Sequence, residues 1–304
     1  RGNIYTNVPN NSFRVGGLVG QNFGGLIEKS FSDCNLLINS TVSNKGVYNV
    51  GGLVGATEGG QIKESYSLGN IICSLGTGGA IGGLVGNVAG SSISLTSILN
   101  SFSAVDINTP NASTVGGVFG YSSEGDYSTI IRNVYSTGNV RGKYYVAGVS
   151  GDAGSDINFS YATGNVIGTN YVGGLSGKGT GISSNSFSTS SITGTDSSVA
   201  GLFGTIGGIV NCAWLTSSHD IVIPSYYECV HPSCPGEWFC NEWECAEGGG
   251  ELVGGSNISS LEEYGLGTDS ELASEFYSRD HNVYSNWDSN WVWSESNYPI
   301  LSWQ

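Results

Sequence analysis

Four cysteines in the last third of the sequence are the residues whose spacing points most clearly to chemistry. Cys229, Cys234, Cys240 and Cys245 lie within 17 residues, separated by four, five and four positions. This spacing lacks the Cys-x-x-Cys pairs typical of structural zinc, so we predict disulfide bonds formed in an oxidising compartment. Cys212 is a further disulfide candidate. Because the chain has seven cysteines, at least one thiol is free or pairs with another chain.

The carboxylates and histidines form no pattern typical of an active site. Acidic residues such as Asp33 and Asp106 do not recur at one position of the repeats described below. Polysaccharide lyases need clustered carboxylates with a basic residue, and glycoside hydrolases need paired carboxylates at a fixed separation. The three histidines, His219, His231 and His281, belong to no metal-binding or nucleophile motif. We therefore predict no catalytic, cofactor-binding or metal-binding residue.

The sequence also permits N-glycosylation at five Asn-x-Ser/Thr sites. These are Asn10, Asn39, Asn111, Asn158 and Asn257. In a chain this rich in Asn, Ser and Thr, chance accounts for most such sites. They therefore mark only where a glycan is chemically permitted.

A six-residue glycine motif recurs along residues 1–216 and indicates how this part of the chain folds. The pattern Val/Ile-Gly/Ala-Gly-Leu/Val-Val/Phe/Ser-Gly begins at Val15, Val50, Ile81, Val115, Val146, Val172 and Val199. The short apolar stretches between motifs show no helical period. Self-similarity at about 20 to 50 residues is typical of arrays in which each unit packs on the next. We therefore predict an all-β chain, a β-solenoid (β-helix) of about seven glycine-rich coils.

An aromatic residue follows each motif after 15 to 21 positions. The offset from the first motif residue is 15, 16, 20 or 21 positions. The residues are Phe31, Tyr66, Phe102, Tyr135, Tyr161, Phe187 and Trp214. Parallel stacking places like residues over like at about 4.8 Å. We therefore predict that these side chains form an aromatic ladder in the core.

The composition changes near residue 216, which divides the chain into two predicted parts. Residues 1–216 contain 10 acidic and 9 basic residues, whereas residues 217–304 contain 15 acidic residues and only Arg279 as a base. An acidic segment repels phosphate, so nucleic acids and anionic membranes are disfavoured partners. The sequence contains no run of about 18 apolar residues, so we predict no membrane insertion. We assign residues 1–216 to the repeat solenoid and residues 217–304 to an irregular, disulfide-stapled, Trp-rich C-terminal cap.

Two interpretations of the C-terminal aromatic residues remain open. As a cap, they cover the unpaired edges and core at the end of the solenoid. As a carbohydrate platform, they stack their rings on sugars. The aromatic residues concerned are Trp287, Trp291, Trp293, Tyr298 and Trp303, and Leu301 belongs with them in the cap interpretation.

Two segments carry a resemblance to a known family. The sequences VGGLVGQNFGGLIEKSFS at residues 15–32 and VGGLVGATEGGQIKESYS at residues 50–67 resemble the GLUG motif repeat. The resemblance covers about residues 3–216. That family occurs in large bacterial and archaeal surface proteins, including adhesins. The resemblance implies a β-solenoid without a catalytic centre of its own.

The leading functional hypothesis is a non-enzymatic, extracellular region of a cell-surface adhesin or surface-structural protein. Its expected partners are surface glycans or proteins, and no cofactor is expected. The alternative is a self-assembling subunit of an extracellular filament or sheath, in which the partner is another copy of the chain. A polysaccharide-active β-helix enzyme is the least favoured hypothesis, because the coils lack the required carboxylates.

Overall fold

A computed structural model confirms the prediction of an all-β solenoid. The described residues form parallel β-sheets that stack into a β-solenoid, and the only helix among them is a 3-10 turn at Asn282–Tyr284. None of them forms a helix long or apolar enough to span a membrane. The structure describes residues 2–7, 13–39, 48–74, 78–92, 94–123, 129–195, 198–205, 208–210, 212–214, 228–229, 245–246, 279, 282–284, 286–294 and 297–304.

Two of the parallel sheets are built from the glycine motif. The first half of each motif contributes one strand to a seven-stranded sheet, with strands Phe13–Gly16, Tyr48–Gly51, Ala80–Gly82, Thr114–Gly116, Tyr145–Ala147, Val172–Gly173 and Val199–Ala200. The second half begins the strands of a six-stranded sheet, Val19–Phe23, Val54–Glu58, Val85–Ala89, Phe119–Ser122, Ser150–Ala153 and Ser176–Gly179.

The remaining strands of the repeats form a sixteen-stranded sheet, which we call the ladder sheet because it carries the predicted aromatic residues. Its strands are Gly2–Asn7, Leu26–Glu28, Phe31–Asn39, Gln61–Lys63, Tyr66–Cys73, Thr96–Asn108, Thr129–Ser136, Val140–Arg141, Ile157–Asn158, Tyr161–Ala162, Val166–Ile167, Ile182–Ser184, Phe187–Ser188, Ile192–Thr193, Gly208–Val210 and Ala213–Trp214.

The strand register follows the repeat in the sequence. The first residues of the seven motifs lie in one column, Val15, Val50, Ile81, Val115, Val146, Val172 and Val199. This column belongs to one buried cluster, together with residues such as Ile71. From the second repeat onward, the fourth motif residues, such as Leu53 and Leu84, belong to a second buried cluster, whereas Leu18 of the first repeat is exposed.

The glycine motif lies very close to the ladder sheet, and we call the narrow space between Gly52 and Ser67 the waist. A methyl group at Gly52, the third motif residue, would lie 2.0 Å from the main-chain oxygen of Gly83 and 3.0 Å from the Cβ atom of Ser67. Because contacts that short are sterically forbidden, only glycine fits here. The waist has room only for small side chains such as that of Ser67. The aromatic side chains next to them on the ladder strands therefore point away from the waist.

The first six repeats turn a corner two residues before their aromatic residue. Each corner residue has a positive φ between 46° and 54°, and the set is Lys29, Glu64, Asn100, Asn133, Phe159 and Asn185. Left-handed backbone is unfavourable for most side chains and is tolerated best by Gly and Asn. In four of these repeats the corner separates a short strand from the aromatic-bearing strand, whereas Asn100 and Asn133 lie within the continuous strands Thr96–Asn108 and Thr129–Ser136.

The described residues of the C-terminal part form two antiparallel strand pairs. Trp291–Ser294 pairs with Asn297–Leu301. Glu228–Cys229 pairs with Cys245–Ala246, which places the main chains of the two cysteines opposite each other. The other two cysteines of the predicted staple, Cys234 and Cys240, lie outside the described residues.

Candidate functional site: the aromatic ladder and its cover

Six of the predicted aromatic residues stack ring upon ring. Neighbouring ring centroids are 4.8 to 5.1 Å apart and the ring planes diverge by 2° to 9°. The stack, which we call the ladder, consists of Phe31, Tyr66, Phe102, Tyr135, Tyr161 and Phe187. Trp214 departs from the prediction, because Ala213 is opposite Phe187 and Trp214 is opposite Ser188. It lies one position out of register.

The ladder lies on the outward face of its strands, and its later rings, Tyr135, Tyr161 and Phe187, belong to a buried core cluster as predicted. Side chains alternate between the two faces of a strand. Ser32, the neighbour of Phe31, is buried, whereas Phe31 itself is 56% exposed. The inward positions face the waist, where a ring does not fit. The rings therefore point outward, and their stacked edges form an apolar strip along the flank.

The end of the chain covers part of this strip. We call residues 286–294 and 297–304 the strap. Its tryptophan rings lie 5.7 to 6.5 Å from the ladder rings, with Trp287 beside Tyr161 and Phe187, Trp291 beside Tyr135 and Tyr161, and Trp303 beside Tyr66 and Phe102. The predicted cap was to close an end of the array. The described strap instead runs along the flank, where its tryptophan rings pack against the ladder rings.

Each of three strap tryptophans donates its indole N–H to a corner residue. The Nε1 atom of Trp287 donates to the main-chain oxygen of Asn185 at 2.8 Å. Trp291 donates to the side-chain oxygen of Asn133 at 3.1 Å. The third bond joins Nε1 of Trp303 to the main-chain oxygen of Asn100 at 2.9 Å. The corners that receive these bonds are all asparagines, so one residue type supplies both the left-handed turn and the polar contact.

The buried hydroxyls of two ladder tyrosines also bond to the strap. The hydroxyl of Tyr161 donates to the main-chain oxygen of Pro299 at 2.7 Å. The side-chain amide of Gln304 donates to the hydroxyl of Tyr135, also at 2.7 Å. Burial raises the pKa of Tyr135 to about 12 and the pKa of Tyr161 well above its usual value. Both tyrosines therefore stay neutral beneath the strap.

An ion pair fixes the edge of the strap. Arg132 lies 3.3 Å from a carboxylate oxygen of Asp288 and 4.2 Å from the ring centroid of Phe159. Burial alone would raise the pKa of Asp288. Hydrogen bonds from the main chain and side chain of Asn290, together with Arg132, lower that pKa below its usual value. The carboxylate is therefore ionised at neutral pH.

The corners of the first two repeats have a different chemistry. They are Lys29 and Glu64, whose charged groups lie 3.7 Å apart. Lys63 lies 3.1 Å from Glu28 and 3.5 Å from Glu64. Among the described residues, the main-chain oxygens of these two corners receive no hydrogen bond. The strap contacts seen at the asparagine corners are therefore absent from this part of the described flank.

The ladder is open where these charged corners lie. Leu26 and Phe31 are 59% and 56% exposed, and Tyr66 is half-buried beside Trp303. We call this surface the open platform, and it consists of Leu26, Glu28, Phe31, Lys63 and Tyr66. It combines exposed apolar groups with charges that largely compensate each other.

Three cysteines lie within the solenoid. Cys34 is opposite Gly69, and Cys73 is opposite Ile38, so the two thiols are offset along neighbouring strands and not paired across them. Cys212, one of the predicted disulfide candidates, is buried, and its thiol donates to the main-chain oxygen of Ser183 at 3.4 Å.

The predicted glycosylation sites have different surroundings. Asn39 is exposed at a strand end and accepts a hydrogen bond from Ser74, and Asn111 is exposed in a turn. Asn158 is half-buried and accepts a hydrogen bond from Ser184. Asn10 and Asn257 lie outside the described residues. Asn39 and Asn111 are thus the described sites most accessible to modification.

Neither a metal site among the described residues nor a similar known protein indicates the function of this chain. In the part of the chain that the structure describes, no group of three or more His, Cys, Asp or Glu residues is arranged to hold a metal ion. No family model matches the chain, and no curated protein and no solved structure is similar to it.

Proposed function

We propose that this chain is a non-enzymatic region of an extracellular cell-surface protein, an adhesin or surface-structural module that mediates attachment. In this proposal each glycine motif belongs to one coil, and Cys229, Cys234, Cys240 and Cys245 form disulfides. The likeness of the repeats to the GLUG motif and the solenoid fold support it. The expected partners are glycans or proteins on another surface.

The observation that carries the proposal is the open platform. The strap buries the ladder from Tyr135 to Phe187 but leaves Leu26 and Phe31 exposed. Contiguous exposed apolar surface rimmed by polar groups marks interaction sites in soluble proteins. The platform has this composition, with Glu28 and Lys63 at its rim.

The geometry of the platform favours a protein partner over a glycan. Sugars stack on the faces of aromatic rings, whereas the rings between the two ends of the ladder are stacked on both faces and present their edges to the side. The strap tryptophans are engaged as well. Trp287 and Trp291 are buried against the ladder, so they offer no free face to a sugar.

The test is attachment of the full chain to a panel of cells and to a glycan array. We expect saturable attachment to cells that Leu26→Ser combined with Phe31→Ser abolishes. The matched control is Ile167→Ser. Ile167 is also an exposed apolar residue, at 42%, and lies on the strand Val166–Ile167, outside the open platform. Absence of binding to both the cells and the array would contradict the proposal.

The second candidate is a subunit of an extracellular filament or sheath. Phe13–Gly16 and Val19–Phe23 are the end strands of their sheets, and Leu18 and Phe23 beside them are 50% and 66% exposed. Unpaired edges of this kind pair with other chains. Light scattering and negative-stain microscopy test it, and a chain that stays monomeric at high concentration contradicts it.

A further inference from the structure

We propose that the solenoid carries a second binding surface, which binds an acidic polysaccharide through its carboxylates and sugar rings. We call this surface the basic corner, and it consists of Arg141, Lys143, Tyr144, Tyr145 and Tyr171. It lies where the chain passes from strand Val140–Arg141 of the ladder sheet to strand Tyr145–Ala147 of the seven-stranded sheet. The inference goes beyond the proposed function, because the basic corner shares no residue with the open platform.

The first support is a pair of cations without a described carboxylate partner. Arg141 is exposed and Lys143 is partly exposed. Among the described residues, the ion pairs use other bases, such as Lys63 and Arg132. A planar guanidinium donates two parallel hydrogen bonds to a carboxylate, and a nearby ammonium adds a second positive charge. Two uncompensated cations that lie two residues apart therefore favour an anionic ligand.

The second support is the set of tyrosines next to these cations. The ring centroids of Tyr145 and Tyr171 are 5.1 Å apart with planes inclined by 29°, and their only described ring contact is with each other. All three tyrosines are partly exposed, and the Nζ atom of Lys143 lies 4.9 Å from the ring centroid of Tyr144. A tyrosine offers an apolar ring face and a hydroxyl, which suit the C–H face and the hydroxyls of a sugar. The basic corner therefore combines charge with ring surface.

The third support is the hydrogen bonding that holds this turn in place. The main-chain N–H of Lys143 donates to the oxygen of Ala112 at 2.9 Å, and that of Tyr145 donates to the oxygen of Ser113 at 2.7 Å. The main-chain oxygen of Lys143 accepts a hydrogen bond from Thr169 at 2.8 Å. The turn is thus bonded to the segments before and after it, so little main-chain entropy is lost when it binds a ligand.

The charge pattern favours an acidic polysaccharide over a nucleic acid. Duplex DNA carries one charge per about 1.7 Å, and its affinity for a protein grows with the number of phosphates that are neutralised. The basic corner supplies only Arg141 and Lys143, in a chain of net charge −15. A polyuronate carries no more than one carboxylate per sugar and exposes its ring faces. Two cations beside three tyrosines match this sparse charge and this ring surface.

The probe is oligogalacturonate, titrated into the full chain in an isothermal titration calorimeter at low ionic strength. We expect saturable binding that weakens as salt rises, and that weakens by about tenfold or more in a variant with Arg141→Gln and Lys143→Gln. The matched control, Lys29→Gln with Lys63→Gln, removes the same charge from another corner and should leave the affinity unchanged. Tyr171→Leu keeps an apolar side chain but removes the ring, so it should weaken binding by about threefold or more.

Two further probes test the chemistry of the ligand. The methyl ester of oligogalacturonate keeps the sugar rings but lacks the charge, and it should bind at least about tenfold more weakly. Oligothymidylate carries one phosphate per nucleotide and should also bind more weakly than oligogalacturonate. Circular dichroism checks that each variant keeps the β-solenoid. If the double variant does not fold, the methyl ester and the salt dependence still test the role of charge in the unmodified chain.

Absence of oligogalacturonate binding would overturn the inference, and so would binding that Arg141→Gln with Lys143→Gln leaves unchanged. Equal or tighter binding of the methyl ester or of oligothymidylate would also overturn it. Leu26→Ser combined with Phe31→Ser should leave oligogalacturonate binding intact, because the open platform is a separate surface. If the chain attaches to cells but does not bind oligogalacturonate, only this inference fails. If oligogalacturonate binds but the chain attaches to no cell, the basic corner stands and attachment through the platform fails.

Discussion

The covered and open parts of one aromatic ladder differ in their surroundings and not in their stacking. Ring spacing is 4.8 Å between Tyr135 and Tyr161 and 5.1 Å between Phe31 and Tyr66. Exposure, however, falls from 56% at Phe31 to 0% at Phe187. Stacking along the solenoid therefore follows from the repeat alone, whereas burial of the flank depends on the strap.

The corner residues mark the boundary between the two parts. Asparagine corners receive the tryptophans of the strap, as at Asn133, whereas Lys29 and Glu64 form ion pairs with their neighbours. Charged side chains on this flank oppose burial unless a partner neutralises them. The residue two positions before the ring is therefore charged where the ladder is open, and is asparagine or, before Tyr161, Phe159 where the strap covers the ladder.

The largest expected effect comes from removing a buried ring of the strap. We expect Trp291→Ala to lower the free energy of unfolding by about 3–5 kcal/mol, because it leaves a cavity against Tyr135 and Tyr161. The matched change on the open ladder, Phe31→Ala, should cost about 1 kcal/mol, since it loses mainly one stacking contact. Urea unfolding of both variants measures the difference. Equal losses would contradict a ladder that is covered on one side only.

Alkaline titration of the ladder tyrosines tests whether the strap buries this part of the ladder. Burial raises the pKa of Tyr135 to about 12, and that of Tyr161 also rises. An acid whose pKa is raised by folding contributes full stability below its unfolded pKa of about 10 and loses it as the pH rises through the folded value. We expect the strap to be destabilised between about pH 10 and 12. Absorbance of tyrosinate at alkaline pH follows this transition, and a variant lacking residues 286–304 should ionise Tyr135 closer to pH 10.

The asparagine corner is the next test. Asn133→Ala removes the acceptor of the Trp291 indole N–H, which should cost about 1–3 kcal/mol, and adds the strain of a left-handed alanine, about 1 kcal/mol. Asn133→Gly removes the same side chain without that strain, so it isolates the loss of the side-chain hydrogen bonds, which include the one to Asn100. Glu64→Ala on the open side loses only ion pairs with Lys29 and Lys63, so it should cost less than about 1 kcal/mol. Thermal unfolding of the three variants separates the two terms, and identical values for all three would contradict a special role of asparagine.

The smallest expected effect concerns the ion pair. Arg132→Gln should destabilise the strap by less than about 1 kcal/mol, because both side chains are partly exposed, and the effect should shrink as salt rises. The pKa of Asp288 is lowered by folding, so its contribution is present above its unfolded pKa and is lost as the pH falls through the folded value. Lys63→Gln on the open side should leave the strap unchanged. Tryptophan fluorescence during acid titration measures both variants.

The sequence alone predicted the stacking well, because stacking depends on spacing. Motifs that begin with Val50 and Ile81 pair in register, and the ladder rings lie one above another as their offsets indicated. The prediction was wrong by one position for Trp214, which lies opposite Ser188 and not opposite Phe187. Its offset matched those of Tyr161 and Phe187, and spacing does not reveal a shift of one residue within a strand.

The direction of the ladder and the path of the strap were not predictable from the motif. Phe31 and Ser32 are neighbours on a strand, so alternation alone does not reveal which of them points inward. The available signal was Gly52, because a glycine that admits no methyl group implies a waist too narrow for a ring. The strap depends on contacts between residues far apart in sequence, such as Asn133 and Trp291. The change from Lys29 and Glu64 to asparagine corners was its only local sign.

The most direct test of the covered ladder is hydroxyl-radical footprinting with mass spectrometry, on the full chain and on a variant lacking residues 286–304. In the full chain, we expect oxidation of Phe31 and protection of Tyr161 and Phe187. In the variant, Tyr161 and Phe187 should become oxidised while circular dichroism still reports the β-solenoid. Rings that stay protected without residues 286–304 would lie in the interior, and that result would contradict a ladder on the outer flank.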